Sequence, residues 1–190
     1  QFLQTVPVEK IFRLYKPREV MQLIFKAPKT RLEHLVKSFI SEIIAESKIS
    51  LNSFGISGSI LIGLDAESSD IDLIVYGKRA GKRTYITLKI LIEKNKFKPY
   101  DTELVKKVVK ARWGDTGIDL VSLMDIEMKK ILHVIYDHTE YFIRLVKTGN
   151  EIVEISRPIQ VVRGRAVISD DRLSIFSPCQ YRLEKVNIFD

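Results

Sequence analysis

The sequence predicts an α+β fold, a mixed sheet flanked by helices, followed by a β-rich C-terminal extension. Three observations carry this. Leu32, Leu35, Val36, Phe39, Ile40, Ile43 and Ile44 recur at helical spacing. Two runs rich in β-branched and aromatic residues, Ile71–Tyr76 and Thr139–Val146, are separated by helical segments. From residue 151 onward the pattern turns β-like and stays so.

Taken in order, residues 1–16 lack clean periodicity and are expected to form an arm. Pro17 suits the first position of a helix, and Val20, Met21, Ile24 and Phe25 give that helix an apolar stripe before Ala27-Pro28 ends it. Thr30 and Glu33 have the spacing of a capping box for the next helix, which carries the long stripe named above. His34 lies beside the stripe with no partner spaced for metal binding. A loop over 47–52 leads to a first strand at 53–57, a short helix at 59–64, a polar turn at 65–69 and the strand Ile71–Tyr76. The next helix is expected over 84–95, with a break across 94–99.

Asp101 is placed to cap a helix Thr102–Arg112, apolar at Leu104, Val105, Val108 and Val109 and basic at Lys106, Lys107, Lys110 and Arg112. Such a basic face is usually solvated, and it is also what tracks a polynucleotide backbone. Trp113-Gly114 closes this helix, with Trp113 a packing anchor or a platform for a base. Residues 117–136 are ambiguous at the start and helical afterwards, through Ile126, Lys130 and Val134. His133 and His138 are five apart, the wrong spacing for one helical face. Thr139–Val146 is a strand, and Thr148-Gly149-Asn150 a turn. Strands at 159–162, 165–168, 173–176 and 181–186, with a turn at Ser169-Asp170-Asp171, describe a small meander or open barrel.

With 190 residues and 45% hydrophobic content the chain can bury one good core and a small appendage. No apolar run approaches a membrane span, and no signal-peptide pattern opens the sequence. A single cysteine, Cys179, excludes an intramolecular disulfide framework and fits a reducing cytoplasm; it reads as a packed residue. The chain begins at Gln1 rather than Met, as a fragment of something longer would. Its richness in Ile, Lys and Glu is that of thermophile proteins. The net charge of +7 suits a nucleotide or nucleic-acid ligand and is equally an ordinary solubility device. The densest basic cluster, from Gly77 to Arg83, follows the end of its strand remote from Asp70, which favours a solvated loop and helix start over a phosphate contact.

The chemistry concentrates in Phe54 to Gly77, FGISGSILIGLDAESSDIDLIVYG. Gly58-Ser59 stands where a strand meets a short helix, so the backbone can approach a ligand and helix N–H groups can face an anion. Asp70 and Asp72 are two residues apart at the opening of a strand, which puts both on one face while Ile71 and Leu73 point into a core. Paired carboxylates form a hard oxygen site of the kind that holds magnesium with bound phosphates.

Gly-Ser followed by Ser69-Asp70-Ile71-Asp72-Leu73 resembles the signature of the DNA polymerase β nucleotidyltransferase superfamily. Beyond the motif, the chain is similar to the stand-alone nucleotidyltransferases found in archaea, in which a β-rich segment follows the catalytic domain. The resemblance implies a minimal nucleotidyltransferase domain at 31–148, preceded by an arm and helix at 1–30 and followed by a β-rich extension at 151–190. It implies transfer of a nucleoside monophosphate from an NTP to an acceptor hydroxyl, on an RNA end, a protein side chain or a small molecule, with two Mg²⁺ or Mn²⁺ ions. Asp70 and Asp72 would hold the ions; Gly58, Ser59, Ser69 and Arg144 would bind the nucleotide.

The family's third carboxylate has two candidates. Asp119, in Gly117-Ile118-Asp119-Leu120-Val121, has the local pattern but precedes a helix at once. Glu140 lies on the better strand, on the same face as Phe142, where the relatives carry the acid, and Arg144. Glu140 is preferred as the third metal-holding, catalytic carboxylate. The alternative is an inactive nucleotide- or RNA-binding module, expected if no acid faces Asp70 and Asp72.

Overall fold

A computed structural model describes residues 5–112, 117–148 and 159–189. The expectations attached to Trp113-Gly114, to Gly149-Asn150 and to residues 151–158 lie outside the described residues. The order is α1 (Pro17–Lys26), α2 (Arg31–Ser47), β1 (Phe54–Ile56), α3 (Gly58–Ile62), β2 (Ile71–Tyr76), α4 (Lys78–Glu93), β3 (Lys98–Pro99), α5 (Thr102–Arg112), α6 (Leu120–Met128), β4 (His133–Tyr136), β5 (Thr139–Val146), β6 (Gly164–Leu173), β7 (Phe176–Ser177) and β8 (Gln180–Ile188). This is an α+β fold with a mixed sheet ordered β1-β2-β5-β4-β3, and β7 joins it by pairing with β5. Strands β2 and β5 are parallel; β1 with β2, and β4 with β5, are antiparallel. Among the described residues no helix is long and apolar enough to cross a membrane.

The N-terminal helices form as their caps dictate. Pro17 opens α1, and Thr30 accepts the Glu33 N–H at the start of α2 while the Glu33 carboxylate reaches back to the Lys29 N–H. The α2 stripe buries Leu32, Val36, Phe39, Ile40 and Ile43 against the sheet. The sheet answers with Ile71, Leu73 and Val75 of β2 and Tyr141, Ile143 and Leu145 of β5, all at 1% exposure or less. At the centre the Phe39 ring stacks on Phe97 at 4.5 Å and on Tyr141 at 4.0 Å.

Five expectations are corrected. Helix α4 begins at Lys78, so the basic cluster forms its first turns. Gly81 lets α4 pass the Phe176 ring, which an added Cβ would meet at 2.6 Å. Second, the helix expected through Val134 stops at Met128, and His133–Tyr136 is a strand. Asp137 and His138 both take positive φ in a two-residue hairpin turn that no glycine announces. That turn lets β4 pair with β5 and buries Val134 completely.

Third, residues 159–162 form no strand. Fourth, Ser169-Asp170-Asp171 lies inside β6, whose pairing with β8 absorbs the irregularity as register shifts, and the chain turns at Ser174-Ile175 instead. Among the described residues of the extension, β6 and β8 form a two-stranded ribbon while β7 joins the main sheet, and Cys179 is exposed rather than packed.

Phe39→Ala should remove the ring on which Phe97 and Tyr141 stack. The expected loss is about 3–5 kcal/mol, read as a lower urea midpoint.

Candidate functional site

The two faces of the sheet divide the labour. Because strand side chains alternate, burying Ile71, Leu73 and Val75 turns Asp72, Ile74 and Tyr76 to the opposite face. On β5 the same alternation buries Tyr141, Ile143 and Leu145 and turns out Glu140, Phe142 and Arg144. The parallel register pairs Asp72 with Phe142. Ile71 pairs with Tyr141, and one step beyond that pair the same register sets Asp70 abreast of Glu140.

These side chains line one cleft of about 270 Å³, with Asp70, Asp72, Glu140, Phe142 and Arg144 on the sheet side. His133 of β4, Tyr100 and Val108 of α5 complete it. Asp70 is exposed and Asp72 half-buried. Burial first, and then the neighbouring Asp70 charge, push the Asp72 carboxyl above the usual carboxylate range, while Arg144 pulls it back. This is a pair in want of positive charge.

Gly58 abuts that pair. Its φ is +61°, in the left-handed region, and a Cβ built on it would lie 2.3 Å from Asp72 Oδ2. The Ser57 N–H donates to the Asp72 carbonyl at 2.8 Å, which ties the start of α3 to β2. Ser59 follows in α3, half-buried. Ser69 closes the turn before β2 by accepting the Ala66 N–H on its hydroxyl at 3.0 Å. It lines a polar chamber of about 330 Å³ that shares Asp70 and Glu140 with the cleft and draws Arg31 from α2 and Lys107 from α5.

The two candidates for the third carboxylate part company. Glu140 is half-buried on the strand beside Asp70 and Asp72 and lines their cleft. Asp119 is the N-cap of α6, where its carboxylate accepts the Ser122 N–H at 2.9 Å. Those hydrogen bonds hold it below the usual carboxylate range, and the capping role accounts for the residue. Among the described residues, however, no group of three or more His, Cys, Asp or Glu side chains is gathered closely enough to hold a metal ion. The expected trio Asp70, Asp72 and Glu140 shares a cleft without forming one ligand cage, because Phe142, not Glu140, stands opposite Asp72. Arg144 places its guanidinium 5.4 Å from the Phe142 ring centre, and no ion pair joins it to Glu140 among the described residues.

Local pattern did not bring Tyr100 or Arg31 to the site, it set His133 aside as a metal ligand, and it gave Lys107 only as part of the basic face of α5. His133 is buried, its Nδ1 3.7 Å from a Glu127 carboxylate oxygen and its ring 4.8 Å from that of Phe142. The signal for it was the strand-like run His133-Val134-Ile135-Tyr136. The basic cluster at the start of α4 faces a separate hollow beyond Tyr76 and does not line the cleft.

The chain is similar to an uncharacterized protein of Methanocaldococcus jannaschii, at 29% identity over 152 residues. The match covers 76% of this chain and 44% of that protein, so the chain spans less than half the length of this relative. No family model and no solved structure matches the chain.

Gly58→Ala should force Asp72 or the start of α3 to move. Strained backbone and overpacking together are expected to cost about 1–3 kcal/mol, measured by thermal unfolding.

Proposed function

We propose that the chain is a metal-dependent nucleotidyltransferase of the DNA polymerase β superfamily, moving a nucleoside monophosphate from an NTP to an acceptor hydroxyl. One observation carries the reading: a left-handed glycine is pressed against Asp72, with Asp70 beside it and Glu140 on the next strand of the same cleft. Such a site has little covalent work to do. It aligns a hydroxyl with the α-phosphorus and stabilises the charge that develops.

The donor set suits Mg²⁺ or Mn²⁺. Two carboxylates, one pushed up by burial and then by the charge of the other, together with phosphate oxygens are a usual shell for such an ion. Asp70 and Asp72 would hold the metal with the NTP; when bound, it neutralises phosphate charge and makes the acceptor hydroxyl more acidic. The open backbone at Gly58 and the Ser59 hydroxyl would receive the β- and γ-phosphates. Arg144, exposed beside Asp72, would contact a phosphate oxygen, as arginines do. Glu140, across from Asp70, would take the acceptor's proton.

A second reading, a non-catalytic nucleotide- or RNA-binding module, draws on the lack of a three-ligand group among the described residues. Incubation with each labelled NTP, Mg²⁺ or Mn²⁺ and candidate acceptors separates the two. Pyrophosphate release and label transfer support the enzyme, and NTP binding without turnover supports the module.

Two outcomes follow from the residue roles. In calorimetric titration, Mg²⁺ should strengthen NTP binding by the wild type, and Asp70→Asn or Asp72→Asn should abolish that metal dependence. Glu140→Gln should leave NTP affinity near that of the wild type and lower turnover by about 10²-fold or more, measured as pyrophosphate release at saturating NTP.

A further inference from the structure

The sheet is interrupted along β5. Strand β4 pairs with its first half, as far as Phe142, and β7 pairs only with Leu145 and Val146. Between them opens a cavity of about 470 Å³, within the range of small-molecule sites. Its walls include Tyr85 from α4, Ile131 ahead of β4, and Phe142 and Phe176 from the sheet. Lys129 and Arg144 also line it, and none of its described lining residues is acidic. Phe142 and Arg144 line the carboxylate cleft as well, so the two cavities adjoin.

The chemistry of this lining is specific. Aromatic and aliphatic walls accept the faces of a planar ring, and the exposed cations at the rim, Arg144 and Lys129 (the latter 3.5 Å from the exposed Asp125), accept a phosphate attached to it. A nucleotide presents both.

Placement then assigns the role. Gly58 and Ser59 follow β1 on one side of β2, and the cavity lies on the other side, along β5. In-line displacement puts the entering and leaving oxygens on opposite sides of phosphorus. If pyrophosphate leaves on the Gly58 side, the attacking hydroxyl enters from the β5 side. We propose that this cavity holds the terminal ring of the acceptor, so that the acceptor is a nucleotide or a nucleotide-terminated chain. The inference rests on the transfer reading above. The acceptor oxygen bonds to the α-phosphorus, the α–β bridging oxygen leaves with pyrophosphate, and the hydroxyl proton passes to Glu140.

The test is calorimetric, with the whole chain. Nucleoside 5′-monophosphates and a short single-stranded RNA are titrated alone, then with Mg²⁺ and a saturating non-hydrolysable NTP analogue. Ile126→Glu and Lys129→Glu, both at exposed side chains lining the cavity, are compared with the wild type, with circular dichroism as the folding control. Monophosphate should bind without metal and alongside the NTP analogue. Each variant should weaken it by about tenfold or more while analogue affinity stays put. RNA binding with the same sensitivity makes the source a chain end; binding of monophosphate alone makes it a free nucleotide.

Lys129→Glu carries the test if Ile126→Glu unfolds. Absence of monophosphate binding overturns the proposal. So does displacement of monophosphate by an analogue that itself weakens in both variants, which would make the cavity the donor's own base site. Monophosphate binding that responds to the variants, with no analogue binding at all, overturns the transfer reading and upholds the ring site.

Discussion

The parallel pairing of β2 with β5 is the constraint on which the rest depends. It sets Ile71, Leu73 and Val75 beside Tyr141, Ile143 and Leu145 on one face, and Asp72 beside Phe142 on the other. Core and site are thus two sides of one register. A slip of one residue would drive carboxylates into the Phe39 stack and expose the aliphatic row, so the hydrophobic effect on the far face locks the polar face in place. Parallel strands need a long crossover, and here it runs from α4 through β4. The same crossover brings Tyr100, Val108 and His133 over the carboxylates.

The site face carries the less favourable terms. Two carboxylates lie side by side, one of them half-buried, and a backbone in the left-handed region is held against them. None of this helps the chain fold. Strain and like charge of this kind persist only where the surrounding structure over-determines them, and they gather at functional sites. The anchor is visible in the Ser57 N–H bond to the Asp72 carbonyl and in the fully buried Ile56, Ile71 and Leu73 around it.

Phe142 alters how the site is composed. Opposite Asp72 it offers a ring, which His133 meets edge-on and the Arg144 guanidinium overlies. The acid on that face stands two residues along β5, at Glu140. The cleft consequently grades from carboxylates at one end to aromatic and cationic groups at the other. That gradient is a property of one strand read two residues at a time.

Much of this was legible from local pattern. The limits of α1, β2, α5 and β5 follow from apolar periodicity and capping residues, because short-range sterics and hydrogen bonds decide them. The common face of Asp70 and Asp72 needed only the two-residue period of a strand, and so did the common face of Glu140, Phe142 and Arg144. What sequence alone did not decide was partnership. His133–Tyr136 is a strand because β5 is there to pair with it, across a turn whose positive φ values no glycine signals. Gly81 sits inside a helix because the Phe176 ring fills the space a side chain would take. Arg31, Lys107 and His133 reach the neighbourhood of the carboxylates from segments far apart in the chain. Local propensity contains no term for such contacts, and only the closed sheet with its helices packed against it brings them together.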